Sequence, residues 1–125
     1  MYTRYNMISS KFRFHGHGSL RYVYSHGEAV RSPQATIKWV KNDRRHNSRV
    51  SIVVSKKVIK KAIGRNRIRR RLYEYMRQTI PKLDSTYDIV VIVTTPDFRV
   101  MSFLELEGII DELLTKAGLL KTSEN

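Results

Sequence analysis

Two nearly continuous apolar segments, separated by a helical pattern, constrain the fold of this chain most strongly. Residues 49–55 read RVSIVVS and residues 87–94 read YDIVVIVT, and such runs are typical of strands that are buried on both faces. Between them, from Gly64 until Pro81 stops the helix, apolar side chains recur on one helical face: Ile68, Leu72, Tyr75, Met76 and Thr79. The pattern predicts a β-α-β crossover between parallel strands, with residues 49–55 an inner strand and residues 87–94 in mid-sheet.

The segment before this unit predicts a short helix followed by two strands. Ser19 is suited to cap the helix and Gly27 to follow its end. Residues 29–32 and residues 34–41 are rich in strand-forming side chains, with a polar loop after them. These strands extend the sheet formed by the β-α-β unit.

A final helix completes the predicted architecture. Ser102 and Glu105 have the spacing of a capping box, and Gly118 is suited to end the helix that they begin. The order helix, three strands, helix, strand, helix predicts an α/β sandwich, with about four strands in one sheet and helices packed on it. Base rates alone favour a right-handed crossover.

The length and composition fit one intracellular domain. With 125 residues, we expect a single domain at residues 12–121, a mobile arm at residues 1–11 and a short tail at residues 122–125. The absence of cysteine excludes disulfides and thiolate metal sites. No apolar run reaches transmembrane length, and residues 1–14 lack the apolar core of a secretory signal. We therefore expect a cytoplasmic protein.

The positive charge is concentrated in one short segment. The formal net charge is +13, and residues 56–71, KKVIKKAIGRNRIRRR, hold nine cations and no acid. Solvated helix faces usually mix both signs, and like charges at this density repel one another unless a polyanion relieves the repulsion. The segment therefore predicts contact with the phosphates of a nucleic acid.

The ionisable residues do not form a pattern typical of an enzyme site. His15 and His17 stand between glycines without a neighbouring carboxylate or cysteine, which makes a poor metal site. The acids are too scattered along the chain for a two-metal nuclease, and no Ser-His-Asp or Cys-His set is visible. We expect no catalytic residue, no metal site and no cofactor bound by the protein itself.

The basic run and the strand before it also carry a specific motif. The segment SKKVIKKAIGRNRIRRRLYEYMR after RVSIVV resembles the signature of the bacterial ribonuclease P protein component. The resemblance extends from about Arg13 to Leu120 and rests on three features: the strand end Ser55-Lys56-Lys57, the block Arg65-Asn66-Arg67 with Ile68 and Arg69-Arg70, and the upstream helix with Leu20, Tyr24 and His26-Gly27. Leu20 departs from the family, which has an aromatic residue there.

The resemblance implies a function and two RNA-binding surfaces. It implies the protein subunit of a ribonucleoprotein whose RNA, using Mg²⁺, removes the 5′ leader from precursor tRNA. The partners are then the ribonuclease P RNA and precursor tRNA; no protein partner is implied, and we expect no membrane contact. It implies a left-handed crossover, opposite to the base rate. It assigns contact with the RNA subunit to Lys56, Lys57, Lys60, Lys61, Arg65, Asn66, Arg67, Arg69 and Arg70. It assigns contact with the leader to Leu20, Tyr24, Thr36, Lys38 and Arg13.

Two other classes of protein are compatible with this sequence. A small basic ribosomal protein can share both the charge and the fold, although the strand–SKK–RNR–helix context fits it less well. A basic amphipathic membrane binder fits poorly, because the apolar stripe of the middle helix is needed to cover the sheet.

For Arg65 and Arg67 we expect positions on the polar surface or in the free first helical turn, where replacement leaves the fold intact.

Overall fold

The computed structural model describes residues 12–14 and 17–121, which form one sheet with helices packed on it. The elements follow the predicted order: α1 (His17–His26), β1 (Glu28–Arg31), β2 (Ala35–Lys41), β3 (Arg49–Val54), α2 (Ala62–Thr79), β4 (Tyr87–Val93) and α3 (Phe103–Ala117). The predicted α/β sandwich is confirmed. The predicted arm and tail lie outside the described residues. None of the helices in the described part of the chain is long and apolar enough to span a membrane.

The four strands lie in the order β1-β2-β4-β3. β3 pairs with β4 in parallel, and the other neighbours pair antiparallel, so β3-α2-β4 is the predicted β-α-β unit. The mid-sheet position of β4 is confirmed, and the left-handed sense of the crossover stays a prediction.

The prediction that β3 is an inner strand is wrong, because β3 forms an edge of the sheet. The residues before α1 cover this edge: Arg13 forms a bridge with Val50, and the Phe14 amide donates to the Val50 carbonyl at 3.3 Å. Because the edge of β3 is covered by the residues before α1 and both of its faces are covered, its sequence is as apolar as that of an inner strand.

The two faces of the sheet carry two separate clusters. On one face, alternate side chains such as Ile37 and Ile89 pack under α2 and α3. The predicted stripe of α2 is buried there at all five positions: Ile68, Leu72, Tyr75, Met76 and Thr79. On the other face a smaller cluster joins Val90 to Val23 of α1 and to Phe14. Because this second layer is small, part of that sheet face stays accessible beside α1.

The helix ends differ in part from the predictions. α1 begins at His17, so Ser19 lies inside the helix and the prediction that it caps α1 is wrong. Gly27 follows the end of α1 as predicted, but the reason is a close approach. A Cβ at this position would lie 2.5 Å from the Val23 carbonyl oxygen and 2.9 Å from that of Trp39.

The ends of α2 and α3 fit the sequence more closely. α2 begins at Ala62, two residues before the predicted Gly64. The predicted cap of α3 is confirmed, since the Ser102 hydroxyl accepts the Glu105 amide at 3.1 Å. Gly118 ends α3 with a φ of 76°, a conformation that glycine adopts without strain.

Candidate nucleic-acid interface

The loop between β3 and α2 is held in place by the first turn of the helix. The Ile59 amide donates to the Ser55 carbonyl, which closes a turn directly after the strand. The Arg65 guanidinium donates to the carbonyls of Ile59 at 3.0 Å and Lys60 at 2.7 Å. A Cβ at Gly64 would lie 2.7 Å from the Ile59 side chain, so the loop packs closely on the helix. The cations of this loop are therefore displayed on a fixed backbone.

The positive charge at the start of α2 is not neutralised by its own helix. Lys61 is the N-cap residue without a side-chain cap, and the first turn holds no acid. The four lysines of the predicted RNA surface are all exposed: Lys56, Lys57, Lys60 and Lys61. The positive end of the helix dipole adds to their charge.

Two arginines of α2 connect the helix to the segment before α3. Arg67 donates to the Arg99 carbonyl at 3.1 Å, and Arg71 donates to the carbonyls of Phe98 and Met101, both at 2.6 Å. Burial and the neighbouring Arg67 charge lower the pKa of Arg71 below its ordinary value. Arg71 is therefore chiefly a fold residue, whereas Arg67 remains exposed.

These contacts correct part of one expectation. Arg67 is exposed and Arg65 lies near the start of α2, as expected. Each guanidinium nevertheless bonds a main-chain carbonyl of another segment, so neither side chain is free of the fold. That their replacement leaves the fold intact stays a prediction. Sequence reasoning missed these bonds because carbonyl oxygens leave no trace in side-chain patterns.

The rest of the predicted RNA surface follows along α2. The Asn66 amide oxygen accepts a hydrogen bond from Arg69, so these two side chains form a unit one turn into the helix. Arg70 makes no hydrogen bond or ion pair within the described residues. It borders a shallow hollow of about 300 Å³ together with Arg67, Arg71, Glu74 and Phe103. An unpaired guanidinium beside a hollow is available to an RNA phosphate.

Tyr24 and Lys38 are in contact beside α1, where the resemblance predicts the leader cleft. Lys38 donates from Nζ to the Tyr24 carbonyl at 3.0 Å, and the same Nζ lies 5.6 Å from the centroid of the Tyr24 ring. Thr36 lies two residues before Lys38 in β2, on the same face of the sheet. Tyr24 is 41% exposed, and partial burial raises the pKa of its hydroxyl. The cleft therefore offers a neutral aromatic ring beside a fixed cation.

The floor of this cleft is apolar, which the sequence reasoning did not identify. Thr36 pairs with Ile92, and Ile92 pairs with Val53, so the three side chains form a row across the sheet. Ile92 and Val53 are only half-buried and, like the predicted leader residue Leu20, pack against the small cluster of Phe14, Val23 and Val90. Side chains of β3 and β4 alternate between the two faces of the sheet. Because nearly all of them are apolar, the sequence does not show which face is only partly covered.

Arg13 takes a different place from the other predicted leader residues. Its guanidinium lies 6.0 Å from the centroid of the Tyr73 ring, on the side of the sheet edge where the Tyr73 hydroxyl accepts the Ile52 amide. Its Nε is buried without a hydrogen-bond partner. Its role in leader contact stays a prediction.

Several known proteins are similar to this chain along most of its length. Residues 8–118 match the family model for ribonuclease P. The ribonuclease P protein component of Oceanobacillus iheyensis is 30% identical over 118 residues, which covers 94% of this chain and 96% of that protein. The corresponding protein of a Pseudanabaena species is 32% identical and covers 91% of this chain and 97% of its own length.

Solved structures share the fold. The Staphylococcus aureus RNase P protein aligns with a TM-score of 0.78 at 24% identity, covering 88% of this chain and 98% of that one. The RNase P protein from Thermotoga maritima aligns with a TM-score of 0.71 at 24% identity, covering 81% of this chain and 94% of that one. The family match, which spans most of the chain, confirms the resemblance seen in the sequence: this chain belongs to the ribonuclease P protein component family.

Proposed function

We propose that this chain is the protein subunit of a ribonuclease P that matures the 5′ ends of tRNA. It binds the RNA subunit through the cations at the start of α2 and binds the 5′ leader of precursor tRNA in the cleft beside α1. Membership of the family supports the subunit role. The observation that carries the leader assignment is the Tyr24–Lys38 pair above an apolar floor, because unpaired RNA is commonly held by aromatic stacking beside a cation.

We further propose that the RNA subunit carries out the chemistry and holds the Mg²⁺ that it requires. Within the described residues, no group of three histidine or acidic side chains is placed to hold a metal ion. The protein contributes positive charge, which offsets the repulsion between the phosphates of enzyme and substrate. Protein and RNA together are then expected to process precursor tRNA at lower Mg²⁺ than the RNA alone, and the protein alone is expected to cleave nothing.

The leader assignment is tested with Tyr24→Ala in the reconstituted holoenzyme. Loss of a stacking surface worth about 1–3 kcal/mol lowers the affinity for leader-bearing precursor tRNA by about 5- to 150-fold. The affinity for mature tRNA, which has no leader, stays unchanged. Tyr24→Phe is the matched control, because it keeps the ring and removes only the hydroxyl. The partial exposure of the ring means that the variant is expected to fold, which thermal unfolding checks.

The ratio of the two affinities decides the outcome. A ratio that stays at the wild-type value in folded Tyr24→Ala contradicts the cleft assignment but leaves the subunit role intact. The subunit role itself fails if the wild-type protein neither binds the RNA subunit nor changes its Mg²⁺ requirement.

A further inference from the structure

A second groove lies on the other side of α1 from the leader cleft. Tyr22 is two residues from Tyr24, which is about 200° around a helix, so the two rings point to opposite sides of α1. Tyr22 lines a groove of about 1060 Å³ between the first half of α1 and the loop that joins β2 to β3. Neither the basic run of α2 nor the Tyr24–Lys38 pair contributes to its lining.

The lining of this groove is strongly cationic. It contains five lysine or arginine side chains and only two aspartates. One aspartate, Asp88, is already paired with Arg49 at 2.8 Å. The side chains of Lys41, Arg44 and Arg45 are exposed and make no hydrogen bond or ion pair with any described residue. Three unpaired cations around one concave surface favour a polyanionic occupant.

The loop that carries these cations is held to the sheet by hydrogen bonds through Asn42 and Asp88. Arg49 donates to both Asp88 oxygens at 3.0 and 2.8 Å, and the Asn42 side-chain amide donates to the same carboxylate at 2.9 Å. The Asn42 side-chain oxygen Oδ1 in turn accepts the Arg44 main-chain amide at 3.2 Å. The Asn42 amide donates to the Thr86 carbonyl at 2.8 Å. Asn42 thereby ties the cationic turn to the end of the sheet, and the groove keeps its shape.

An exposed aromatic pair stands at the rim. The rings of Tyr22 and His26 stack with centroids 4.2 Å apart and an angle of 19° between their planes. The His26 ring nitrogen Nδ1 lies 3.2 Å from the Tyr22 carbonyl, which fixes its orientation. Tyr22 is 54% exposed, so the pair contributes little to the core. A flat, oriented and accessible pair of rings is a stacking surface for a nucleobase.

We propose that this groove binds an unpaired segment of RNA, with a base stacked on Tyr22 and phosphates held by Lys41, Arg44 and Arg45. The inference rests on the proposed function in that the RNA belongs to the holoenzyme reaction. The stacking pair favours RNA over other polyanions, since a membrane surface or a polyphosphate has no base to stack. The domain then grips RNA on both sides of α1: leader in the Tyr24 cleft, and a second single-stranded segment in the Tyr22 groove. That segment comes from either the RNA subunit or the precursor.

Two variants and two matched controls test the proposal. Tyr22→Leu removes the ring, and Tyr22→Phe retains it. The double variant Arg44→Ala/Arg45→Ala removes two groove cations, and Lys116→Ala/Lys121→Ala removes the same charge from exposed positions on and after α3. Each protein is titrated against the labelled RNA subunit in one arm. In the other arm, holoenzyme assembled at saturating protein is titrated against labelled precursor tRNA, over a range of salt concentrations.

Tyr22→Leu is expected to lower the affinity by about 5- to 150-fold in at least one arm, while Tyr22→Phe binds like the wild type. The arginine double variant is expected to reduce the salt slope in the same arm by about 1.4, at about 0.7 per single-strand phosphate. The arm in which the loss occurs identifies the source of the segment. Thermal unfolding first checks that Tyr22→Leu and the arginine double variant are folded. If both then show the same affinity and salt slope as the lysine control in both arms, the groove proposal is overturned. A wild-type protein that binds neither RNA overturns the proposed function instead.

Discussion

The carboxylate of Asp88 accepts three hydrogen bonds on the groove side of the sheet, and its removal is expected to be costly. It accepts two hydrogen bonds from Arg49 and one from Asn42. Asp88→Leu removes all three and leaves the Arg49 guanidinium without its counter-charge. The neighbouring Phe14 ring, 4.8 Å from the guanidinium carbon, offers Arg49 only a weak substitute.

The expected cost follows from the burial of the pair. Breaking a buried ion pair by removing one partner costs about 3–5 kcal/mol. The side chains of Arg49 and Asp88 are 13% and 8% exposed, and Arg49 borders the open groove, so water relieves part of the penalty. The lower end, about 3 kcal/mol, is therefore expected. At roughly 4 °C per kcal/mol for a domain of this size, the melting temperature falls by about 12 °C.

A double-mutant cycle separates the pair from simple loss of packing. Arg49→Met alone leaves Asp88 buried and unpaired, whereas Arg49→Met with Asp88→Leu leaves no charge uncompensated. The double variant is therefore expected to be more stable than Asp88→Leu alone, in urea unfolding followed by circular dichroism. If the two single costs simply add, or if Asp88→Leu costs less than about 1 kcal/mol, the reasoning on this network is wrong.

Two further substitutions probe the close approaches and the divided role of the arginines. Gly27→Ala places a Cβ against two backbone oxygens and is expected to cost about 1–3 kcal/mol in urea unfolding, whereas Gly108→Ala, which meets nothing within 4 Å on α3, is expected to stabilise by up to ~1 kcal/mol; equal effects contradict the close-approach argument. Arg65→Ala and Arg70→Ala are each expected to flatten the salt dependence of RNA binding by up to about 1, but only Arg65→Ala is expected to lower stability, by about 1 kcal/mol, because it alone bonds the preceding loop; equal unfolding midpoints refute that distinction.

Periodicity predicted the elements well and their neighbours less well. The stripe of α2 and the position of β4 follow from the spacing of apolar side chains, because burial of a face is what that spacing records. The edge position of β3 does not follow, since an apolar run reports covered faces and not hydrogen-bonded neighbours. Arg13 pairs with Val50 at the edge of β3, and no pattern in the sequence around Arg13 predicts that pairing.

The three proposed RNA surfaces differ in how far the sequence predicted them. The lysines before α2 lie within one segment, so charge density alone predicted them. The Tyr24–Lys38 pair was reached through the family resemblance, and the apolar floor under it was missed. The Tyr22 groove was not predicted at all, because it forms where the loop after β2 meets α1 and Asp88 of β4. Such a site depends on tertiary contacts and leaves no periodic signal.

The placement of the arginines explains how a folded domain keeps so much positive charge. Among the described residues there are two ion pairs, Arg49–Asp88 and Arg77–Glu74, and neither uses residues 56–71. The arginines of that run that do anchor the fold, Arg65, Arg67 and Arg71, bond carbonyl oxygens instead. A carbonyl satisfies guanidinium donors without adding a formal negative charge, and each of these guanidiniums has five N–H donors but makes at most two such bonds. The same side chains therefore order the loop and helix while the surface remains positive for RNA.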